Sequence, residues 1–377
     1  MVSRAVDTIC EKVLADEAVT AEEGLVLHEE ADLATLSLLA DHVRCRLHPG
    51  ASGRTVTYIV DRNINPTNVC ITDCSFCAFY RRPNQDESYV LPREEIYTKI
   101  DELRAVGGEL VLMQGGHHPH LKTEWYCELL SDLRNRYPGL HLHAMSPPEI
   151  HHLSLLDDCS VDDVIARLKA AGMASIPGGG AEILVDRVRD VIAPKKTSTD
   201  DWLGVMRAAH AQGLRTTATM MFGHVETAAD RIEHLMRIRD LQDETGGFTA
   251  FAAWNYQNQK GVELDVPKTT PAVYFRVIAI SRIVLHNVAN IQASYVTQGA
   301  KAAQTSLRFG VNDFGGGMME ENVVSAAGTF ELIELAEIER QIRAAGFEPR
   351  RRNFFYDIID ERGPVELDPA VSTGALT

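Results

Sequence analysis

Apolar positions in residues 1–50 recur at helical intervals, through Leu25, Leu33, Leu36, Leu39 and Val43, behind the capping-box pattern Thr20-Ala-Glu-Glu23. From Thr55 the texture changes to short β-branched runs alternating with longer amphipathic ones. The short runs predict strands over Thr55–Val60, Glu109–Gln114, Leu140–Ser146, Ser175–Pro177, Arg215–Gly223, Phe248–Trp254, Asn290–Val296 and Leu307–Val311. The longer ones predict helices over Pro92–Val106, Thr123–Tyr137, Val161–Ala171, Thr199–Gln212, Ala228–Glu244 and Pro271–Asn287.

Strand followed by helix, repeated about eight times, argues for an α/β fold whose parallel sheet closes as a (β/α)8 TIM-type barrel. A doubly wound open sheet competes, but no G-x-G-x-x-G follows the first strand. The expected plan is an N-terminal helical segment over 1–50, the barrel over 51–328, a helix and strand packed on it over 329–360, and a loose tail over 361–377. Barrel enzymes place their chemistry on the loops that follow the strands. Here those loops carry a cysteine-rich stretch after strand one, Gln114-Gly-Gly-His-His-Pro119 after strand two and Gly178-Gly-Gly-Ala-Glu182 after strand four. Gly223-His-Val-Glu226 follows strand five, Gln292 and Tyr295 lie on strand seven, and Asn312-Asp-Phe-Gly-Gly-Gly317 follows strand eight.

The chain is 45% hydrophobic and 24% charged, which suits a soluble globular protein with a sizeable core. Its net charge of −16 and the isolation of Arg350-Arg351-Arg352 argue against a nucleic-acid partner. No apolar run approaches the ~20 residues that span a bilayer, and the first residues lack the apolar core of an export signal. A cytoplasmic location without a membrane partner is expected, where close cysteines more often serve metal or redox chemistry than disulfides. Cys10, Cys45, Cys127 and Cys159 are scattered and read as small buried hydrophobes.

Thr67-Asn-Val-Cys-Ile-Thr-Asp-Cys-Ser-Phe-Cys-Ala-Phe-Tyr80 holds the other three cysteines, spaced C-x3-C-x2-C. One reading is zinc held by Cys70, Cys74 and Cys77 with a fourth ligand from His117 or His118. The other is a 4Fe–4S cluster whose fourth iron has no protein ligand and can chelate a small molecule.

The spacing, with Phe76 before the last cysteine and the loop placed after the first strand of a barrel, resembles the radical S-adenosylmethionine superfamily. That resemblance implies a 4Fe–4S cluster and S-adenosyl-L-methionine as cofactors, the latter chelating the open iron and yielding a 5′-deoxyadenosyl radical. The segments Asp61-Arg-Asn-Ile-Asn65, Ser146-Pro-Pro-Glu149 and Ala218-Thr-Met-Met-Phe-Gly-His-Val-Glu-Thr227 resemble more narrowly the branch serving the futalosine route to menaquinone. Within it the chain is most similar to the enzymes that cyclise dehypoxanthine futalosine, with Pro66 and the His117-His118 pair as departures from their pattern.

The resemblance implies hydrogen abstraction from C4′ of the substrate's ribose and radical addition to its benzoate ring. Aminofutalosine synthases, the paired subunits that build the deazaflavin chromophore, and a metal-binding scaffold without activity are the alternatives. Phe76, Gln114, Gly115, Gly116 and Glu182 are expected at the S-adenosylmethionine, since glycine lets a backbone approach a ligand closely. Closing the reaction needs a proton acceptor, for which His117, His118, His224 and Glu226 are candidates. Arg62, Thr219, Gln292, Tyr295, Asn312 and Asp313 are expected to contact the polar substrate. A flavodoxin or ferredoxin is the expected electron donor.

Overall fold

The computed structural model describes residues 4–258, 264, 266–317, 319–320, 322–326 and 333–360. The tail expected over 361–377 lies outside the described residues. Ten strands run in parallel: β1 (Thr55–Ile59), β2 (Asp61–Ile64), β3 (Leu110–Met113), β4 (His141–Ala144), β5 (Ser175–Ile176), β6 (Arg215–Phe222), β7 (Phe248–Asn255), β8 (Asn290–Gln292), β9 (Asp313–Gly316) and β10 (Glu348–Arg351). Their order is β10-β1-β9-β8-β7-β6-β5-β4-β3-β2. Only Val60 separates β1 from β2, so these are two halves of one run. The lower half pairs with β9 and the upper half with β3, which curls the sheet into a barrel. β10 adds to the lower half of that run, Thr55 opposite Glu348.

The alternation of each strand sends one face to the surrounding helices and the other into the barrel. On β6, Ala218, Met220 and Phe222 are fully buried, in the cluster that includes Leu235 and Ile238 of the helix Ala228–Thr245. Side chains the size of Met220 and Phe222 each contribute roughly 1.5–3 kcal/mol by leaving water. The helices start where their caps dictate: Thr20 with Glu23, Ser146 with Glu149 and Thr227 with Asp230 form reciprocal capping boxes. Three helices, Arg4–Leu14, Ala21–Glu30 and Leu33–Leu47, precede the barrel, and no helix among the described residues is long and apolar enough to cross a membrane.

Two expected elements are displaced. The eighth strand is Asp313–Gly316, not Leu307–Val311. Leu307 instead caps the helix Ala300–Ser306, and Gly310 turns with φ +87° while its carbonyl accepts from Arg282 Nε at 2.8 Å. Asn312 and Asp313 therefore sit at the start of a strand, low in the barrel, rather than in a loop above it. Tyr295 belongs to the short helix Tyr295–Gln298 and not to the seventh strand. The four scattered cysteines are not buried either: Cys45 is exposed, and Cys10, Cys127 and Cys159 are intermediate.

Candidate active site

The cysteine loop leaves the top of β2 and returns on itself. Thr67 bridges to Val90, Val69 bridges to Arg81, and the Leu91 amide donates to Pro66 O at 2.8 Å. Arg81 organises the middle, with Nη1 donating to Ala78 O at 3.0 Å and Tyr80 O at 2.9 Å beside Cys77. The Cys70 amide donates to Arg81 O at 2.9 Å, and the Cys77 amide to Cys74 O at 3.1 Å. All three cysteines are free thiols, Cys70 and Cys74 buried and Cys77 intermediate. Burial pushes the Cys74 thiol up to about 11 and raises Cys77, with Lys196 pulling the other way in both. Such sulfurs ionise when a cation replaces the missing solvent. Among the described residues no three His, Cys, Asp or Glu side chains converge to hold a single ion.

Gly115 and Gly116 pack against this loop. A Cβ on Gly116 would lie 2.2 Å from Val69 O and 2.9 Å from Cys70 Cβ, so glycine is required for the turn to touch the cysteine loop. The Gly116 amide donates to Thr67 O at 2.9 Å, and the Gly115 amide to Glu149 Oε1 at 2.9 Å. Glu149 also accepts from the amide and hydroxyl of Ser146, at 2.8 and 2.6 Å. Burial raises its carboxyl to about 7 against those hydrogen bonds.

The Gly178–Glu182 loop closes the other side. Its glycines answer to packing rather than to ligand approach: a Cβ on Gly179 would meet Gln114 Nε2 at 2.1 Å, and one on Gly180 would meet Pro148 Cγ at 2.3 Å. Glu182 is 4% exposed and held at φ +44°, a conformation unusual outside glycine and frequent at functional sites. Its Oε1 accepts from Lys196 Nζ at 2.7 Å. Lys196 lies 5.4 Å above the Phe76 ring. Burial pulls this ammonium down, but Glu182 and the Cys74 thiol outweigh it and lift it above the ordinary lysine range. Phe76, Gln114, Gly115, Gly116 and Glu182 thus gather around the cysteines, and Lys196 joins them.

The expected acid–base groups fare unevenly. Glu226 accepts from the Gly223 amide at 2.6 Å, the His224 amide at 2.9 Å and Arg231 Nη2 at 2.6 Å. Burial would raise this carboxyl, yet His224, Arg231 and the two amides hold it below the ordinary range, so it caps its own turn and is no base. His224 Nε2 lies 3.0 Å from Met221 O and must donate to it, because a carbonyl only accepts. Its Nδ1 faces the Val225 amide at 2.8 Å and Glu226 Oε2 at 3.2 Å, leaving neither nitrogen for a substrate. His118 accepts the amides of His120 and Leu121 on Nδ1, and it lines an outer cavity of about 270 Å³ with Val69, Ser88 and Tyr89. His117 is buried and stacks on His152 with ring centroids 5.1 Å apart, and no hydrogen bond holds its ring among the described residues. Burial, then the charges of His152 and Lys196, keep it neutral.

Strand parity corrects the substrate contacts. Asp61 and Asn63 share one face of β2 and Arg62 takes the other, where it reaches Lys99 O at 3.0 Å, Glu320 Oε2 at 2.8 Å and Glu102. Arg62 is therefore a link to the helix Arg93–Ala105, not a cation for the substrate. Tyr295 donates to Gly316 O at 2.8 Å, and Thr219 to Gly178 O at 2.5 Å; both hydroxyls pin backbone. Asn312 is consumed by Arg282, the Ile291 amide and Asn290. Asp313 accepts from Thr57 Oγ1 at 2.5 Å and forms a buried two-toothed pair with Arg352. Gln292 remains inside the barrel, 3.4 Å from the Tyr356 hydroxyl.

Lys196 and Arg81 carry no local sequence signal for the places they take here. Glu149 alone carried a local signal, the capping-box spacing from Ser146.

Residues 64–238 match the model of the radical SAM superfamily, and residues 245–364 match the CofH/MqnC C-terminal region. The chain is 40% identical to the cyclic dehypoxanthine futalosine synthase of Halalkalibacterium halodurans, over 94% of this chain and 95% of that protein. It is 39% identical to the 5-amino-6-(D-ribitylamino)uracil–L-tyrosine 4-hydroxyphenyl transferase 2 of Methanosarcina mazei, over 92% of this chain and 90% of that protein. Among solved structures, methylornithine synthase matches with a TM-score of 0.69 at 18% identity, covering 91% of this chain and 97% of the other. The FeFe-hydrogenase maturase HydG from Carboxydothermus hydrogenoformans matches at 0.71 and 17%, covering 93% of this chain and 80% of the other, and both likenesses concern the fold.

Proposed function

Because this chain belongs to the radical S-adenosylmethionine superfamily, we propose that it cyclises dehypoxanthine futalosine, joining C4′ of the ribose to the benzoate ring in menaquinone biosynthesis. The chain is a radical S-adenosylmethionine enzyme that uses a 4Fe–4S cluster. The observation that carries the finer reading is the similarity, at 40% and 41% identity over 94% and 93% of the chain, to two cyclic dehypoxanthine futalosine synthases.

The donor set fits the cluster: three free thiols in one closed loop, with a glycine turn that a single Cβ would drive into them. Cys70, Cys74 and Cys77 would hold it, and Gly115, Gly116, Gln114, Phe76 and Glu182 would border the S-adenosylmethionine. Bound there, the two groups supply one electron and the 5′-deoxyadenosyl radical that removes the substrate's hydrogen. Lys196 keeps a fixed positive charge beside the thiolates and holds Glu182 in its strained conformation. Of the four candidate proton acceptors, His117 is the one whose ring no described residue hydrogen-bonds, although the burial that keeps it neutral also weakens it as a base. An electron carrier of the flavodoxin or ferredoxin kind would supply the electron, and Arg82 and Lys195, both paired with Asp73, lie on the outside of the cysteine loop.

A second reading is favoured by the transferase relatives at comparable identity. Anaerobic incubation of the reconstituted protein with reductant and S-adenosylmethionine separates the two. Dehypoxanthine futalosine should be converted to a product lighter by two hydrogens. Turnover of 5-amino-6-(D-ribitylamino)uracil with tyrosine instead contradicts the proposal.

A further inference from the structure

Asp61 opens β2 on the face it shares with Thr57, Ile59 and Asn63, inside the barrel. It is 8% exposed, and among the described residues its Oδ1 has no hydrogen-bond partner. Such groups are rare because a buried carboxyl without a donor is costly. The fold makes room for it: a Cβ on Gly316 of β9 would lie 2.1 Å from Oδ1 and 2.4 Å from Oδ2. The cation in range is Arg352, yet its guanidinium grips both oxygens of Asp313 and stacks 3.9 Å over the Tyr356 ring. Two carboxyls here stand near this one guanidinium, which pairs with Asp313. Burial lifts Asp61 to about 7, Arg352 opposing and Asp313 adding to the rise.

Among the described residues no side chain donates to Oδ1 of this carboxyl. Arg62, the next residue, faces the opposite way and is fully engaged. Asn63, two residues on, shares the inward face, and Gln292 of β8 also lies inside the barrel. We propose that Asp61 is a substrate-binding residue whose carboxyl accepts hydrogen bonds from the hydroxyls of a five-carbon sugar-derived group. Carboxylate oxygens carry enough lone pairs to take neighbouring hydroxyls together. Both candidate substrates possess such a group, as ribose in one and a ribityl chain in the other. The inference rests on the cyclase reading only for the choice of ribose.

The test uses anaerobically reconstituted holoenzyme, wild type, Asp61→Asn and Asp61→Ala, with dehypoxanthine futalosine and 5-amino-6-(D-ribitylamino)uracil as separate probes. Equilibrium dialysis should show the compound that wild type binds held about tenfold to a hundredfold more weakly by both variants. Iron content and the change in the cluster's paramagnetic resonance on adding S-adenosylmethionine should match wild type. The thermal midpoint should be unchanged or higher, because the variants lose a buried group without a partner. Unaltered affinity, or affinity falling together with iron content or thermal midpoint, overturns the role. Wild type that binds the uracil and not the futalosine overturns the cyclase reading alone, and Asp61 is then judged on the uracil. Wild type that binds neither overturns both.

Discussion

Replacing Lys196 by methionine removes the cation that holds the Gly178–Glu182 loop to the cysteine loop. The two partners lie 2.7 Å apart with side chains only 13% and 6% exposed. Loss of one member of such a pair leaves the other charge buried and uncompensated, which costs about 3–5 kcal/mol. The contact of Nζ with the Phe76 ring adds about 0.5–2 kcal/mol. Glu182→Gln relieves the stranded carboxylate, so the double variant Lys196→Met/Glu182→Gln should be less damaged than the sum of the single variants, by about 1–3 kcal/mol. Urea unfolding of the four proteins in the cluster-free form gives the cycle, and iron content after reconstitution reports the effect on the cysteine loop. Strict additivity would refute the pairing, as would a Lys196→Met protein as stable as wild type.

Gly116→Ala should lower stability by roughly 1–3 kcal/mol, the usual range for overpacking, and should reduce the iron retained after reconstitution; full iron and an unchanged melt contradict the packing of the turn on Val69 and Cys70. Stability should also fall as pH drops below the ordinary histidine range of about 6.5. Burial holds His28, His141 and His210 down to about 4 and His234 to about 3, with His117 and His143 also well below. These rings stay neutral when folded and take up protons only on unfolding, so their contribution is present above about pH 6.5 and lost as pH falls, at up to about 1.4 kcal/mol per unit for each. Asp61 and Glu149, both raised to about 7, act with the opposite sign, losing stability as pH rises through that value. Calorimetry should therefore find stability falling from about pH 6.5 to 5, where six histidines outweigh two carboxyls, and a melt that rises steadily from pH 7 to 5 contradicts the balance.

The alternation of strands and helices was legible because each strand's outward face must meet a helix, a requirement that writes itself into the pattern of apolar residues. The last strand was not. Leu307-Arg-Phe-Gly-Val311 is the more apolar run, but the helix Ala300–Ser306 ends directly on it. Asp313-Phe-Gly-Gly316 reads as a turn, yet it pairs with β1 and β8, and Gly316 leaves the space that Asp61 fills. The cysteines and the glycine turn could be found because their chemistry and spacing are local. Arg62 was misjudged because a shift of one position on a strand reverses the face, and Glu226 because nothing nearby announces Arg231 as its partner. Lys196 and Asp61 are set by contacts between elements far apart in the chain, and their types alone carry no such information.

On the proposed function, the radical formed beside Cys70, Cys74 and Cys77 would take hydrogen from the substrate's ribose. Dehypoxanthine futalosine deuterated at C4′, turned over once under anaerobic conditions, tests this directly. Deuterium is expected in the methyl group of released 5′-deoxyadenosine, together with the cyclised product. Deuterium-free 5′-deoxyadenosine, or an adenosyl group retained in the product, would contradict it.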